Sequence, residues 1–333
     1  MTPGTRGKFS RLFQAGGPFL GLALVCLLFA IAKDSDTGEY LGPIIFSGAN
    51  LKNILTQTVI VAVGALGMTL IIVGGGIDLS VGSVVALVSV VGARLLNDGW
   101  GVAGVAMVSI GLGLGISLVN AGLIAGLRMM PFIVTLGMMG VLRGCAKWLG
   151  GNQAVFLKEG VAPIQGVMQK INPNAFWPLP SGVWITLGLA FAVTAILRRT
   201  VFGRYIFAIG ANEVAARYSG VPVGWVKAAT YGVAGMLFGL AGMLQLSRLT
   251  QGDPTVAIGL ELDIIAAVVI GGASLNGGSG SILGSLIGAI IMALLRNGTN
   301  QLGWQTYTQE IIIGAVIVLA VGLDKLRQAR MKG

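Results

Sequence analysis

An all-α, polytopic membrane protein is the fold class this sequence predicts, and three observations carry it. Of the 333 residues, 55% are hydrophobic and 10% are charged, whereas soluble domains carry about 25% charged residues. Mean hydropathy is +0.86. The apolar residues also form runs close to the length a helix needs to cross the hydrocarbon, about 20 residues. Lipid is therefore the natural solvent. The 54 glycines suit membrane helices, where small residues let backbones approach closely.

Charge and cysteine content exclude several classes. A net charge of +10 would suggest nucleic acid for a soluble protein. Here the basic residues sit in short loops, so membrane lipid is the expected partner and nucleic acid is not. Cys26 and Cys145 each lie in an apolar run, with neither disulfide nor metal spacing. There is no histidine, which excludes the usual zinc sites and a histidine proton relay. No metal site is expected.

Candidate spans fall at 17–32, 53–73, 81–96, 102–127, 131–149, 183–197, 228–247, 262–275, 280–295 and 309–324, about ten in all. The run at 102–127 is long enough to tilt or to carry one end outside the bilayer. With the N-terminus inside, thirteen of the 22 basic residues fall on the cytoplasmic side beside only Asp78, Glu213 and Asp324. That orientation obeys the positive-inside rule. The whole chain, 1–333, then reads as one transmembrane domain with cytoplasmic tails at 1–16 and 325–333. Segment 150–182 is an extracytoplasmic loop and 198–227 a cytoplasmic one. A rival reading takes Arg6, Lys8 and Arg11 followed by an apolar run ending Ala30-Ile31-Ala32 as a cleavable signal.

The stretch VGGGIDLSVGS at 73–83 interrupts two apolar runs. Glycine costs about 1 kcal/mol relative to alanine inside a helix, so Gly74, Gly75 and Gly76 should end the span before them. Asp78 or Ser80 is placed to cap the next helix by accepting backbone N–H bonds. A similar pattern recurs in IGGASLNGGSGSILG at 270–284. There Gly271 and Gly272 end a run, polar Ser274 and Asn276 and then Gly277 and Gly278 follow, and Ser279 or Ser281 restarts a helix. Paired glycine-broken segments point to a translocation path. The plainer alternative is two ordinary capped turns at the membrane surface. Non-helical backbone at membrane depth needs a protein or water lining. Such a lining is compatible with a hydroxyl-rich solute.

In the inside loop, Asn212 is a plausible N-cap for a short helix from Glu213 to Tyr218, with Gly220 ending it and Pro222 barring continuation. Glu213 and Arg217 stand in the favourable i, i+4 order, and Ala215 and Ala216 leave one side slim. This reads either as a handle for another protein or as a connector.

Four stretches carry a resemblance: GGGIDLSVGS at 74–83, MPFIVTLGMMGVLRG at 130–144, FGRYIFAIGANEVAARYSGV at 202–221 and ELDIIAAVVIGGASLNGGSGSILG at 261–284. In this order they resemble the inner-membrane permease subunits of ribose/xylose-type ABC importers, over about residues 50–325. The resemblance implies a bacterial cytoplasmic-membrane homodimer with a central path, separate ATPase subunits inside and a soluble sugar-binding protein outside. It implies that Ala211, Asn212, Glu213, Ala215, Ala216, Arg217, Tyr218, Ser219 and Gly220 form the coupling helix that docks on the ATPase. It also implies that the breaks at Gly74–Ser83 and Gly271–Gly280 lie near the path. The segment 150–182 shows no such match.

The chain has no G-x-x-x-x-G-K-[ST] loop; its Gly7-Lys8 pair is followed by Phe9. An ATP-driven reading therefore places ATP and magnesium on a partner and leaves this chain with no cofactor and no covalent chemistry. The alternative is an ion-driven secondary transporter, which needs charge within the bilayer; Asp78 is the main candidate, near the inner end of a span. An intramembrane enzyme is disfavoured by the lack of a Ser–His pair or H-E-x-x-H. Trp100, Trp148, Trp177, Trp184, Trp304 and Tyr307 fall near the outer face and read as interfacial anchors more than as sugar-stacking rings.

Overall fold

The computed structural model describes residues 3–33, 38, 40–158, 162–168 and 177–332. Much of the expected loop 150–182, including Pro173, lies outside the described residues, as does Gly333 at the end of the C-terminal tail. The chain is helical nearly throughout. Its helices are α1 (Pro3–Ile31), α2 (Gly42–Ile45), α3 (Gly48–Val73), α4 (Val81–Asn97) and α5 (Val102–Ala121), the last continued by a π-helical turn, Gly122–Gly126. Next come α6 (Pro131–Gly150), α7 (Ala162–Met168), α8 (Ser181–Arg199), α9 (Val201–Ala211) and α10 (Glu213–Tyr218). The set closes with α11 (Val223–Leu249), α12 (Leu260–Ile270), α13 (Ile282–Gln301) and α14 (Thr306–Lys332). Among the described residues, six helices are long and apolar enough to cross a membrane: α3, α5 with its π-turn, α6, α8, α11 and α13.

Three departures from expectation stand out, and the first two have simple causes. The apolar run 262–275 is helical only to Ile270, because Gly271 caps the helix and Gly272 turns left-handed at φ +90°. Residues 201–211, expected within a loop, form α9, whose N-cap Thr200 accepts a hydrogen bond from the Gly203 amide at 3.1 Å. Both terminal helices run into the expected tails, α1 from Pro3 and α14 to Lys332.

Helix α3 is the hub. Its apolar window is 94% buried, against 22% for α5 and α6 and 33% for α8. It lies among α11, α12, α13 and α8. The outer helices turn Met107, Val119, Phe132, Val141 and Phe191 outward. In water that surface would drive association; in lipid it is the expected exterior. Trp100, Trp148, Trp177, Trp184, Trp304 and Tyr307 are all exposed too.

Small residues set the closest helix contacts. On α5 and α11, a Cβ at Gly113 would strike the Gly235 carbonyl, and one at Gly239 would strike the Ser109 carbonyl. On α12 and α13, Gly284 abuts Gly271 and Gly288 abuts Ala267, backbone against backbone. Gly235 and Gly239, like Gly284 and Gly288, are four residues apart, the small-xxx-small spacing of membrane helix pairs. Polar bonds add specificity between helices. Asn50 and Asn297 exchange side-chain hydrogen bonds at 2.8 and 3.0 Å between α3 and α13. Thr69 and Ser285 hydroxyls meet at 2.7 Å on the same pair.

Candidate functional site

The first glycine-rich break forms as the sequence predicts. Gly74 caps α3, its amide bonding the Leu70 carbonyl, and Gly75 turns left-handed at φ +81°. The chain then crosses residues 76–80 without helix and re-enters one at Val81. Asp78, not Ser80, supplies the side-chain acceptor. Its Oδ1 accepts from the Ser80 amide at 2.8 Å and the Ser80 hydroxyl at 2.6 Å. Ser80 occupies the N-cap position of α4 but makes no side-chain cap bond; its hydroxyl is already held by Asp78 and by Asn120 Nδ2 at 3.2 Å.

The second break lies between α12 and α13. Gly271 caps α12, Gly272, Gly277 and Gly278 all have positive φ, and the Gly277 amide donates to the Ser274 carbonyl. Asn276 donates its amide to the Ser274 hydroxyl at 3.3 Å. Ser281 is the helix-starting serine: it caps α13 by accepting from the Gly284 amide at 3.4 Å.

These two breaks meet. The Gly278 amide donates to the Val73 carbonyl at 2.8 Å. A Cβ built on Gly277 would lie 2.9 Å from the Gly75 Cα and 2.7 Å from the Gly210 carbonyl oxygen. A Cβ on Gly210 would strike the Val73 carbonyl and lie 2.5 Å from the Gly278 amide nitrogen. Gly278 in turn faces the Ala211 backbone, its would-be Cβ 2.9 Å from the Ala211 Cα. Backbone from three separate parts of the chain is thus in mutual contact, with no side chain between. The sequence reading singled out the glycines at 74–76 and 271–278 but missed Gly210. Its isolated position near the end of α9 gave no signal beyond its lack of a side chain.

The joint leads directly into α10. Asn212 caps this helix as expected, its Oδ1 accepting from the Ala215 amide at 2.9 Å, and Gly220 ends it at φ +83°. Arg217 donates to Glu213 at 3.1 Å. A second bond was not legible in the local pattern: Lys227, on α11, donates to Glu213 at 2.7 Å. These cations hold the Glu213 carboxyl below the usual carboxylate range, the Lys227 hydrogen bond most of all, while partial burial opposes it. Ala211, Asn212, Ala215, Arg217, Tyr218, Ser219 and Gly220 are exposed. Ala216 is not: it is 6% exposed and packs into the core. A helix this short needs one inward residue to seat it, so Ala216 is an anchor and not part of an outer face. The exposed apolar pair is instead Val214, 63% exposed, and Tyr218, 88% exposed.

Asp78 belongs to a buried polar cluster. Its Oδ2, the Asn120 Oδ1 and the hydroxyls of Ser83, Ser117 and Tyr231 are all buried and lack partners among the described residues. Asp78 has no ion pair among the described residues. A cavity of about 20 Å³ beside Gly74, Gly76 and Tyr231 has room for a single water. The breaks at this end of the bundle therefore do not enclose a solute-sized space in this conformation.

A lipid-facing helical exterior around a buried hub, with two broken turns locked to one exposed helical corner, defines a multi-pass membrane permease. A family profile described as the permease component of branched-chain amino acid transport systems matches residues 50–321. The ribose import permease protein RbsC of Escherichia coli (strain K12) is 40% identical over 307 residues, covering 92% of this chain and 94% of that protein. The ribose import permease protein RbsC of Bacillus subtilis (strain 168) is 38% identical, covering 97% of both. The galactose/methyl galactoside import permease protein MglC of Escherichia coli (strain K12) is 35% identical, covering 98% of both. No solved structure matches the chain. This chain belongs to that family of transport-system permeases, as the four ordered motifs imply.

Proposed function

We propose that this chain is the permease subunit of an ABC importer that carries a monosaccharide across the bacterial cytoplasmic membrane. The observation that carries this reading is similarity along nearly the whole chain to permeases named for ribose and galactose import. The chain performs no covalent chemistry. ATP and magnesium belong to a separate ATPase subunit on the cytoplasmic side, and a soluble sugar-binding protein delivers cargo from outside. Two copies of the permease frame the path, with about ten spans each and both termini inside.

The glycine joint supports a particular division of labour. In this reading α10 docks on the ATPase through Val214, Arg217 and Tyr218. Displacing it moves Ala211 and Gly210, which abut the second break at Gly277 and Gly278 and the first at Val73 and Gly75. The breaks then act as hinges for α3–α4 and α12–α13 and transmit the stroke, more than as walls of the path. Close-packed backbone has little room to yield, so a push at one strand of the joint reaches the others.

Uptake of labelled ribose and galactose by proteoliposomes holding the permease, its ATPase and its binding protein tests the reading. Uptake should require ATP and both partners. Accumulation by the permease alone under an ion gradient, without nucleotide, would establish the ion-driven alternative instead.

A further inference from the structure

At the end of the bundle opposite the glycine joint lies a cavity of about 260 Å³, between α3, α11, α12 and α13. Gln57 on its wall stands about 27 Å along α3 from Gly75, at 1.5 Å per residue. The lining is unusual for helices that are otherwise apolar: Gln57, Gln245, Arg248, Asp263, Arg296 and Asn300 all face it. Two of these are spoken for. Arg296 Nε donates to Asp263 Oδ2 at 2.6 Å, and Asn300 accepts from Gln309. The others are not. Gln57, Gln245 and Arg248 have no hydrogen bond or ion pair among the described residues, and the other oxygen of Asp263, Oδ1, is buried without a partner. Gln245 is 6% exposed and Asp263 2%. Gln57 and Arg248 are half-buried and Gln245 is buried, so their polar ends stay free for water or for a solute that enters the cavity.

Their chemistry selects the occupant. Arg248 offers only donors, and the two glutamines both donate and accept. A hydroxyl both donates and accepts, and bonds to charged partners are the strongest it makes. With Asp263 paired to Arg296, Arg248 is the one unpaired charge, so a cation is disfavoured, and the glutamines beside it suit a ligand that both donates and accepts. We propose that this cavity is an entry site for a neutral polyhydroxylated solute, with Arg248 donating to its hydroxyls and Gln57 and Gln245 both donating to and accepting from them. The assignment rests on the reading of the chain as an import permease and adds the place and the residues at which cargo is received. None of the aromatic rings at the outer surface lines the cavity, so recognition is by hydrogen bonds and not by ring stacking.

Arg248→Met and Gln245→Leu remove groups that bond nothing in the protein, so thermal stability in detergent should be unchanged or higher. Ribose or galactose uptake by the complete importer should nevertheless fall about tenfold or more for Arg248→Met, mainly through a raised KM, and further in the double variant. Saturation-transfer NMR on the purified permease, with ribose, galactose, ribose 5-phosphate and leucine as probes, supplies a second readout. Signal from a neutral sugar in the wild type, lost in the double variant, supports the site even if uptake cannot be driven by an ATPase; that outcome would fault the importer reading alone. Unchanged uptake in the double variant, no neutral sugar bound by the wild type, or preference for the phosphate or the amino acid would each overturn the site.

Discussion

The Gly278 amide and the Val73 carbonyl, 205 positions apart in the chain, are joined by a hydrogen bond of 2.8 Å. The bond links the last residue of α3 to the middle of the break between α12 and α13. Only residues without side chains let the strands come this close, and Gly210 completes the contact from the α9 side. The joint makes the two breaks one mechanical unit with the corner that carries α10.

Substitutions at the joint should therefore have graded effects. Gly277→Ala meets two obstacles: φ is +85°, and the new Cβ would lie within 3 Å of the Gly210 and Gly75 backbones. Gly75→Ala meets only the first, since the nearest atom to its Cβ is 3.7 Å away. The left-handed conformation alone costs about 1–2 kcal/mol, so Gly75→Ala should lower the melting temperature modestly and keep uptake. Gly277→Ala should abolish uptake or accumulation of the protein. Equal behaviour of the two in a paired uptake and thermal-melt assay would contradict the joint.

Much of this was readable in the residues, for physical reasons. Caps and breaks are local: Asn212 with Ala215, Ser281 with Gly284, and Gly75 at positive φ all follow from patterns within a few positions. Of the ten expected spans, the six at 53–73, 102–127, 131–149, 183–197, 228–247 and 280–295 coincide with helices long and apolar enough to cross a membrane among the described residues, and these followed from apolar run length. What escaped was non-local. Gly210 gains its meaning from Val73 and Gly278, Glu213 from Lys227, and Asp263 from Arg296, each across a tertiary contact that no single-sequence pattern encodes. The inward direction of Ala216 was not readable, because a small residue on a short helix is equally suited to an outer face and to an inward anchor; packing decides. The open polar groups of the large cavity were invisible until four helices converged on them.

Glu213 and Arg217 should not be equivalent. Arg217→Ala removes an exposed i, i+4 pair, of a kind contributing about 0.2–1 kcal/mol. Glu213→Ala also releases α10 from Lys227 on α11. Sugar-stimulated ATPase activity of the full importer should thus fall further for Glu213→Ala than for Arg217→Ala, with the membrane fold intact in both variants. If the double alanine variant keeps both ATPase co-purification and stimulation, α10 is a connector only.

The Glu213 pair also sets a direction with pH. A carboxyl held below its usual range stabilises the fold above its unfolded pKa and loses that contribution as pH falls through the lowered folded value. The α10 tether should persist through neutral pH and weaken only in acid, beneath the ordinary carboxylate range. Lys227→Met should raise the Glu213 pKa and move that loss to higher pH, seen by hydrogen exchange of the α10 amides at stepped pH values. An unchanged profile would show that Lys227 does not hold the carboxylate.

Asp78 separates the two energy sources. Its Oδ1 orders Ser80, its Oδ2 has no partner, and no cation pairs with it among the described residues. In an ATP-driven permease it is structural, so Asp78→Asn, which keeps a carbonyl acceptor for the Ser80 bonds, should retain most uptake. Asp78→Ala leaves the buried Ser80 and Asn120 groups without their acceptor network and should cost about 1–3 kcal/mol. Complete loss of transport in a well-folded Asp78→Asn variant, where wild-type uptake follows an ion gradient without nucleotide, would restore the secondary-transporter reading.

Asn50 and Asn297 hold the far end of α3 to α13 through a reciprocal pair, with Asn50 Nδ2 also reaching the Ile45 carbonyl at 3.0 Å. Both are about 5% exposed. Asn50→Leu strands the Asn297 side chain in an apolar setting, a penalty of about 1–3 kcal/mol; Asn297→Leu costs less, because Asn50 keeps the Ile45 carbonyl and accepts from Gln301 Nε2 at 3.5 Å; removing both strands neither side chain. Asn50→Leu and Asn297→Leu should each lower the melting temperature in detergent, and the double variant should lose less than the sum of the two. That coupling is what a direct pair produces and independent sites do not. Strict additivity would mean that the helices are held here by packing alone. The pair also lies on two of the four helices that wall the polar cavity, so the single variants should weaken sugar binding as well as stability, and the double variant should recover part of both.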